Sequence, residues 1–397
     1  MRGSRENVLY LNFDEKPGLT RYFDQDLDPY RIIRTLCVVL DTDINPGGTL
    51  MIFDEIQESN RALNSLKYFY ENAPQYHIAA AGSFLGVATH GGFPVGKVDR
   101  LTLYPMTLCE FLEAMGKGAF VNALKQRDFP LIDSLAADYE NLLKIYFYVG
   151  GMPKVVNSYV TRGNTAEISA LQNAILADYN ADFSKHINPV NIPKVRMIWN
   201  SIPTHLAREK KKFIYKEMKP GARAYAFEDA MNWLFETRLV YKVSMTTDPA
   251  LPLARNADRD AFKLYMLDIG LLGAKSGLDI KGLVEPGRNV FGEFKGALTE
   301  QFVCQELQTL EICPLFYWTR EKGAAEVDFL LQFENEAVPI EVKANIHTKS
   351  KSLSVYIDQY HPAHAVRTSL KKYGIKNGQY SIPLYMIGSF ADILRQR

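Results

Sequence analysis

The stretch Thr49-Leu50-Met51-Ile52-Phe53-Asp54-Glu55 decides the fold of the first part of this chain. Its nearly continuous apolar run predicts a strand that is buried on both faces, as in a parallel sheet covered by helices. The acidic pair at its end gives the pattern of a Walker B strand. In that pattern Asp54 would hold Mg²⁺ through water, and Glu55 would activate the attacking water. The alternative is a pair of acids that merely cap a buried strand.

An NTPase also needs a phosphate-binding loop of the pattern G-x-x-x-x-G-K-[ST], whose backbone N–H groups and lysine hold the phosphates. Forty-eight residues precede Thr49, and none of them match this pattern. The tripeptide Pro46-Gly47-Gly48 is followed by no Lys-Ser or Lys-Thr pair. The sequence therefore contains half of a nucleotide site.

Strand and helix patterns alternate around this stretch, which predicts a parallel sheet. The predicted strands are Val8–Phe13, His77–Ala81 and Leu101–Leu103, and the predicted helices are Tyr30–Leu40 and Arg61–Tyr70. The carboxyl ends of such strands meet at one edge, where ligands bind. Ser83 would lie there as a sensor of the γ-phosphate, or as a simple turn serine. Lys97 and Arg100 would be phosphate sensors, or surface charges.

Composition places the protein in a broad class. Its 397 residues suffice for two or three domains, and its net charge of +1 gives no global sign of nucleic-acid binding. The four cysteines are scattered without metal-ligand spacing, which is typical of a reducing compartment. No apolar run reaches the roughly 18–20 residues that a membrane span requires. The sequence therefore predicts a cytoplasmic protein with no membrane partner.

The middle of the chain, residues 108–250, has mostly helical spacing. The predicted helices are Leu108–Met115, Tyr139–Tyr148, Ala166–Phe183, Lys194–Leu206 and Phe227–Thr237. The last one leads into a strand-like run, Leu239–Val243, and this order predicts a winged-helix unit. The basic run Arg208–Lys212 is interpreted either as a solvated loop or as a patch that contacts phosphates, with DNA as the candidate partner.

The last region carries the second group of candidate residues. Asp328 opens the predicted strand Glu326–Phe333, and Glu341-Val342-Lys343 closes the predicted strand Val338–Val342. Residues i and i+2 of a strand share a face, so Glu341 and Lys343 point the same way, and Asp328 joins them across a hairpin. Glu300, on the predicted helix Lys295–Leu310, adds a third carboxylate.

Carboxylate oxygens are the ligands that Mg²⁺ prefers, and a lysine beside the metal can orient water or stabilise negative charge. Glu300, Asp328 and Glu341 are therefore the candidate metal ligands, with Glu341 and Lys343 as candidate catalytic residues. This is the D…E-x-K arrangement of PD-(D/E)XK nucleases. The alternative is a nuclease-like scaffold that serves packing or binding.

Several motifs occur together in this sequence. They are Leu50–Gln57, Gly82-Ser83, Phe93–Val98, Tyr104-Pro105-Met106, Gly150-Gly151-Met152-Pro153, Asp178-Tyr179 with Asp182–Lys185, Lys263–Asp268, Glu326–Phe329 and Ile340–Ala344. With them the chain resembles prokaryotic AAA-type ATPases that carry a C-terminal domain of unknown function with a nuclease-like end.

The resemblance implies an α/β protein of three parts. They are a truncated parallel-sheet AAA-type domain (1–107), a helical and winged-helix region (108–250) and an α/β nuclease-like C-terminal domain (251–397). It also implies a central strand, a phosphate loop and the helix that follows it, and we expect this sequence to start just after these elements. We expect a truncated product or a late start codon rather than a specialised pseudo-ATPase.

The leading hypothesis is an AAA-type ATPase-family protein with a defective or missing phosphate loop, coupled to a nuclease-like domain. Mg²⁺ is a possible cofactor, and ATP is the cofactor that the family implies. One alternative is a Mg²⁺-dependent DNA endonuclease whose ATPase part is a scaffold. Another is a non-catalytic winged-helix regulator that binds DNA. The sequence does not predict an oligomeric state.

Overall fold

The computed structural model describes residues 7–82, 96–277, 294–312, 314–321, 325–344 and 351–395. The chain divides into two compact units, Met1–Leu103 and Tyr104–Arg397. The predicted α/β class is confirmed: a small parallel sheet comes first, a mostly helical stretch follows, and a mixed sheet completes the chain. No helix in the described parts of the chain is both long and apolar enough to span a bilayer.

Unit 1 is an alternation of strands and helices. Its elements are β1 (Asn7–Asn12), α1 (Pro29–Leu40), β2 (Thr49–Asp54), α2 (Asn60–Asn72) and β3 (His77–Ala80). The strands lie in the order β1-β2-β3, and both pairings are parallel. The predicted strand at Leu101–Leu103 is wrong, because these residues form no strand and their two leucine side chains are 94% and 96% exposed.

The middle strand positions the acidic pair of unit 1. Met51 and Phe53 of β2 are fully buried, and Phe53 packs edge-on against Phe13 and Phe23 with ring centroids 5.9 and 5.8 Å apart. Edge-to-face packing of this kind stabilises aromatic cores. The burial fixes the direction of β2, so that its last residue, Asp54, reaches the carboxyl edge of the sheet.

Unit 2 begins with a run of helices. They are α3 (Leu108–Ala114), α4 (Gly118–Gln126), α5 (Phe129–Ser134), α6 (Ala136–Val149), α7 (Pro153–Arg162), α8 (Thr165–His186), α9 (Ile192–Leu206), α10 (Tyr215–Met218) and α11 (Glu228–Glu236). Later helices are α12 (Ile269–Lys275), α13 (Phe294–Gln308), α14 (Lys351–Tyr360) and α15 (Phe390–Arg395). The helices predicted from apolar spacing are all present, with ends that shift by a few residues.

A mixed sheet follows the helices. Its strands are β4 (Val240–Thr246), β5 (Ala257–Met266), β6 (Phe316–Thr319), β7 (Glu326–Phe333), β8 (Glu336–Val342), β9 (Ala365–Ser369), β10 (Gly374–Lys376) and β11 (Gln379–Pro383). Within the described residues they form one eight-stranded sheet in the order β10-β11-β9-β8-β7-β6-β4-β5. The domain boundary predicted at residue 250 falls between β4 and β5, which pair with each other in this sheet.

Candidate functional site

The carboxyl edge of the N-terminal sheet carries Asp54 and Glu55. Asp54 ends β2 and lies opposite Asn12 of β1. The hydroxyl of Tyr10 donates a hydrogen bond to the Asp54 carboxylate, and the amide of Asn12 lies 3.4 Å from the same oxygen. The bond to Asp54 raises the pKa of Tyr10. The structure therefore shows an Asp54 carboxylate held by the end of β1.

Glu55 begins the turn that leaves the strand. Its backbone is left-handed, with φ of 50°, a conformation that is uncommon for a residue other than glycine and that often marks functional turns. Its carboxylate accepts a hydrogen bond from Gln57 Nε2 at 2.5 Å. The acidic pair thus has one member directed to β1 and one directed to its own turn.

The remaining predicted nucleotide-associated residues lie in different places. Ser83 lies outside the described residues. Lys97 forms an ion pair with Glu71 at 3.3 Å and lies over the ring of Tyr70, so its contacts are with α2. Arg100 is an exposed residue.

The hairpin β7–β8 brings the predicted acidic residues of unit 2 together. Phe329 pairs with Ile340, and this register places Asp328 opposite Glu341 on one face. The backbone N–H of Val342 donates to Asp328 Oδ2 at 2.7 Å. Lys343 Nζ lies 2.6 Å from Glu341 Oε1. The D…E-x-K residues are therefore neighbours at one end of the hairpin.

Glu300 joins them from helix α13. Its side chain is 9% exposed and forms an ion pair with Lys211, whose side chain is 12% exposed. The hydroxyl of Tyr265 on β5 donates to Glu300 Oε2 at 3.1 Å. We name Glu300, Asp328 and Glu341 the carboxylate cluster.

Lysines balance the charge around this cluster. Among the described residues, each nearby glutamate has a lysine partner: Glu300 with Lys211, Glu326 with Lys263 at 2.6 Å, and Glu341 with Lys343. Lys263 is itself 1% exposed and lies 4.7 Å over the ring of Tyr317. Buried charges are tolerated when they are paired in this way.

The electrostatics follow from burial and from these neighbours. Burial raises the pKa of Asp328 well above its ordinary value, and the charges of Glu300 and Glu341 raise it further. Burial also acts to raise the pKa of Glu300, but Lys211 and Lys263 outweigh it, and the pKa is lowered. The three glutamate–lysine pairs balance their own charges, and the raised pKa of Asp328 favours its neutral form. Neutralisation is the usual outcome when like charges share a buried site.

The donor set of the cluster fits Mg²⁺ in its chemistry, because three carboxylates supply oxygen ligands. Glu341 Oε2 is buried and has no hydrogen-bond partner among the described residues, so this oxygen is a candidate ligand for a cation. In the arrangement observed, however, lysine ammonium groups lie against Glu300 and Glu341. Within the described residues no group of three or more His, Cys, Asp or Glu is arranged to hold a metal ion.

Sequence reasoning missed four members of this site: Lys211, Lys263, Tyr265 and Glu326. A lysine within the apolar strand Phe262–Met266 is a signal of a buried charge pair. The sequence holds no such signal for Lys211, since it belongs to a basic run. Within that run Arg208 forms an ion pair with Glu217.

Family comparisons divide the chain into matched parts. Residues 1–112 match a family described as an AAA domain. Residues 140–281 match a domain of unknown function (DUF8612), and residues 295–387 match another domain of unknown function (DUF4143). The resemblance to AAA-type ATPases is thus supported for the N-terminal part of the chain. No curated protein matches the sequence.

Two solved structures are similar to this chain at low identity. The Walker-type ATPase paby2304 of Pyrococcus abyssi is 11% identical, with a TM-score of 0.41, and the match covers 68% of this chain and 84% of that one. Protein VC1899 from Vibrio cholerae is 10% identical, with a TM-score of 0.20, and the match covers 98% of this chain and 97% of that one. Similarity at this level carries no argument about function.

Proposed function

We propose that this chain is an AAA-type ATPase-family protein whose C-terminal part carries a nuclease-like Mg²⁺ site. One observation carries the first half of the proposal. Asp54 and Glu55 lie at the carboxyl end of a buried strand in a parallel sheet, which is where such sheets bind ligands. The match of residues 1–112 to an AAA domain supports the same assignment.

The roles of the acidic pair follow from the chemistry of phosphoryl transfer. Asp54 would hold Mg²⁺ through water, and Glu55 would activate the attacking water. Most of the contacts to a triphosphate come from the phosphate loop, and the 397-residue sequence has no such pattern before Thr49. We therefore propose that this polypeptide binds nucleotide weakly.

Titration with a fluorescent ATP analogue and Mg²⁺ tests this proposal. We expect weak binding that the Asp54→Ala variant abolishes and that the control Asp43→Ala, at an exposed loop position, leaves unchanged. Equal binding by all three proteins would show that Asp54 is not a nucleotide-site residue. Saturable micromolar binding that only Asp54→Ala loses would contradict the defective phosphate loop.

The carboxylate cluster favours a second activity, Mg²⁺-dependent cleavage of DNA. Glu300, Asp328 and Glu341 would hold the ion, and Lys343 would orient water beside it. When bound, Mg²⁺ would supply charge stabilisation at the phosphate. The contact of Val342 N with Asp328 and that of Lys343 with Glu341 already fix two of these side chains. In this version of the proposal the ATPase part is a scaffold.

A plasmid-nicking assay with Mn²⁺ tests the cleavage proposal, together with melting curves in the absence and presence of the ion. We expect Mn²⁺ to stabilise the wild type by mass action and Glu341→Ala to lose that shift. We expect Glu341→Ala to lose nicking activity as well. The control Glu321→Ala, at an exposed position, is expected to keep both the melting shift and the nicking activity. If the wild type shows no Mn²⁺-dependent shift and nicks DNA no faster than Glu341→Ala, the cleavage proposal is wrong, and the domain is a nuclease-like scaffold.

The third hypothesis, a winged-helix regulator that binds DNA, has weaker support. Helices α9 to α11 followed by the β4–β5 hairpin have the order of such a unit. However, Arg208 and Lys211 of the basic run form ion pairs with Glu217 and Glu300. These contacts leave fewer charges in the run for phosphate groups, so we place this function behind the other two.

A further inference from the structure

Lys211 reaches the carboxylate cluster from outside the nuclease-like hairpin. It lies in the connection between α9 and α10, and its side chain is 12% exposed, whereas the neighbouring Lys210 and Lys212 are exposed. The burial of one lysine in a basic run shows that its position is specific. A solvated loop would leave all three ammonium groups in water.

The connection is anchored next to β5. The backbone N–H of Phe213 donates to the carbonyl oxygen of Phe262 at 2.8 Å, and the two rings stack with centroids 5.6 Å apart. Phe213 is 2% exposed. This anchor, two residues after Lys211, holds the lysine against Glu300. Its position is therefore set by packing as well as by charge.

The ammonium group of Lys211 supplies the charge that a cation would supply. Without it, Glu300 would keep the hydrogen bond from Tyr265 but lose its ion pair. The cluster would then hold an unbalanced negative charge near Asp328 and near Glu341 Oε2, which has no hydrogen-bond partner within the described part of the chain. A buried carboxylate without a partner carries a large desolvation cost, which a divalent ion relieves.

We propose that Lys211 is an internal cation that competes with a divalent metal ion for the carboxylate cluster. This inference rests on the proposed Mg²⁺ site and adds a form of regulation to it. In the structure Lys211 forms an ion pair with Glu300, and binding of a metal ion by Glu300 would require Lys211 to leave it. The basic connection between α9 and α10 thus controls the charge of the site.

Binding of Mn²⁺, measured by calorimetry, tests the competition. We expect Lys211→Met to bind Mn²⁺ about tenfold or more tightly than the wild type, because the competing charge is gone. The matched control Lys212→Met, at an exposed position in the same run, is expected to bind like the wild type. Lys211→Gln keeps a hydrogen-bond donor for Glu300 and removes the charge, so it replaces the methionine variant if that variant does not fold.

A second measurement uses the unaltered protein. Labelling of lysines with an amine-reactive reagent, followed by mass spectrometry, is expected to show Lys211 protected without metal and labelled with Mn²⁺. Lys212 is expected to be labelled in both conditions. This result does not depend on the folding of any variant.

The outcomes separate the inference from the function on which it rests. If the wild type binds Mn²⁺, but Lys211→Met or Lys211→Gln binds it no more tightly and Lys211 stays protected, then the competition is wrong and the metal site stands. If neither the wild type nor these variants bind Mn²⁺ at millimolar concentration, the proposed metal site is wrong and the inference is overturned with it.

Discussion

At the scale of single residues, Asp268 shows how a buried carboxylate connects distant segments. It is fully buried, lies two residues after β5, and accepts hydrogen bonds from Gly151 N at 2.6 Å and from Leu271 N at 2.9 Å. The second bond caps helix α12, and the first fixes the turn before α7. Burial raises the pKa of Asp268 to about 6, although the backbone hydrogen bonds oppose this shift.

This shift predicts a pH dependence of stability. The folded-state pKa lies above the ordinary value of 3.8, so protonation favours the folded protein. The contribution of Asp268 to the free energy of unfolding is fully present below about pH 3.8 and is lost as the pH rises through about 6. For a shift of this size the change is about 3 kcal/mol. We expect Asp268→Asn to remove this pH-dependent part of the free energy of unfolding. Urea unfolding at several pH values between 4 and 7 measures it.

The same variant has a second effect at neutral pH. An asparagine side chain has one acceptor oxygen, so one of the two backbone N–H groups loses its partner, at a cost of about 1–3 kcal/mol. Asp260→Asn, at an exposed position, is the matched control and should change neither quantity. A wild type and an Asp268→Asn protein with parallel stability curves across this pH range would contradict the shift.

At the scale of elements, the predictable features were those encoded locally. The apolar run of β2 and the helical spacing of α1 and α2 predicted the ends of these elements to within one or two residues. The hairpin β7–β8 was predictable because its two strands are adjacent in sequence. Hairpin register then follows from the short turn and the alternation of side chains, and it placed Asp328 beside Glu341.

Contacts between distant segments were not predictable in this way. The partners Lys211 and Glu300 are separated by 89 residues, and Gly151 and Asp268 by 117. No local period encodes such pairs. The same limit applies to the sheet of unit 2, where β4 pairs in parallel with β6 across a long connection. The strand predicted at Leu101–Leu103 rested on apolar residues alone. Among the described residues no strand pairs with this segment, so it does not join the sheet.

The Gly150-Gly151 motif has a physical explanation at this scale. Gly150 has φ of 75°, and a Cβ atom there would lie 2.4 Å from Asp268 Oδ1. A Cβ atom on Gly151 would lie 2.2 Å from the carbonyl oxygen of Met106. Only glycine permits this close approach between the end of α6 and two other segments. The motif therefore serves close packing in unit 2.

At the scale of the whole molecule, unit 1 exposes a strand that is apolar in sequence. His77, Ala79 and Ala80 of β3 are exposed, and Ile78 is half-buried. Within the described residues β3 pairs with β2 alone, so its other edge presents unpaired backbone groups. A net charge of +1 gives little repulsion between copies. An apolar edge of this kind is a template for pairing with another chain.

We therefore predict that the chain self-associates through β3 and is marginally soluble. Replacement of one exposed edge residue, Ala79→Lys, should reduce association, because a charged side chain on an edge strand disfavours pairing. The control Ala166→Lys adds the same charge at an exposed position of α8. Light scattering against concentration, with thermal melting of the same samples, measures the effect. A monodisperse, cooperatively melting sample of the unaltered chain would contradict the predicted association. If both lysine variants improve solubility equally, net charge rather than the β3 edge governs the association.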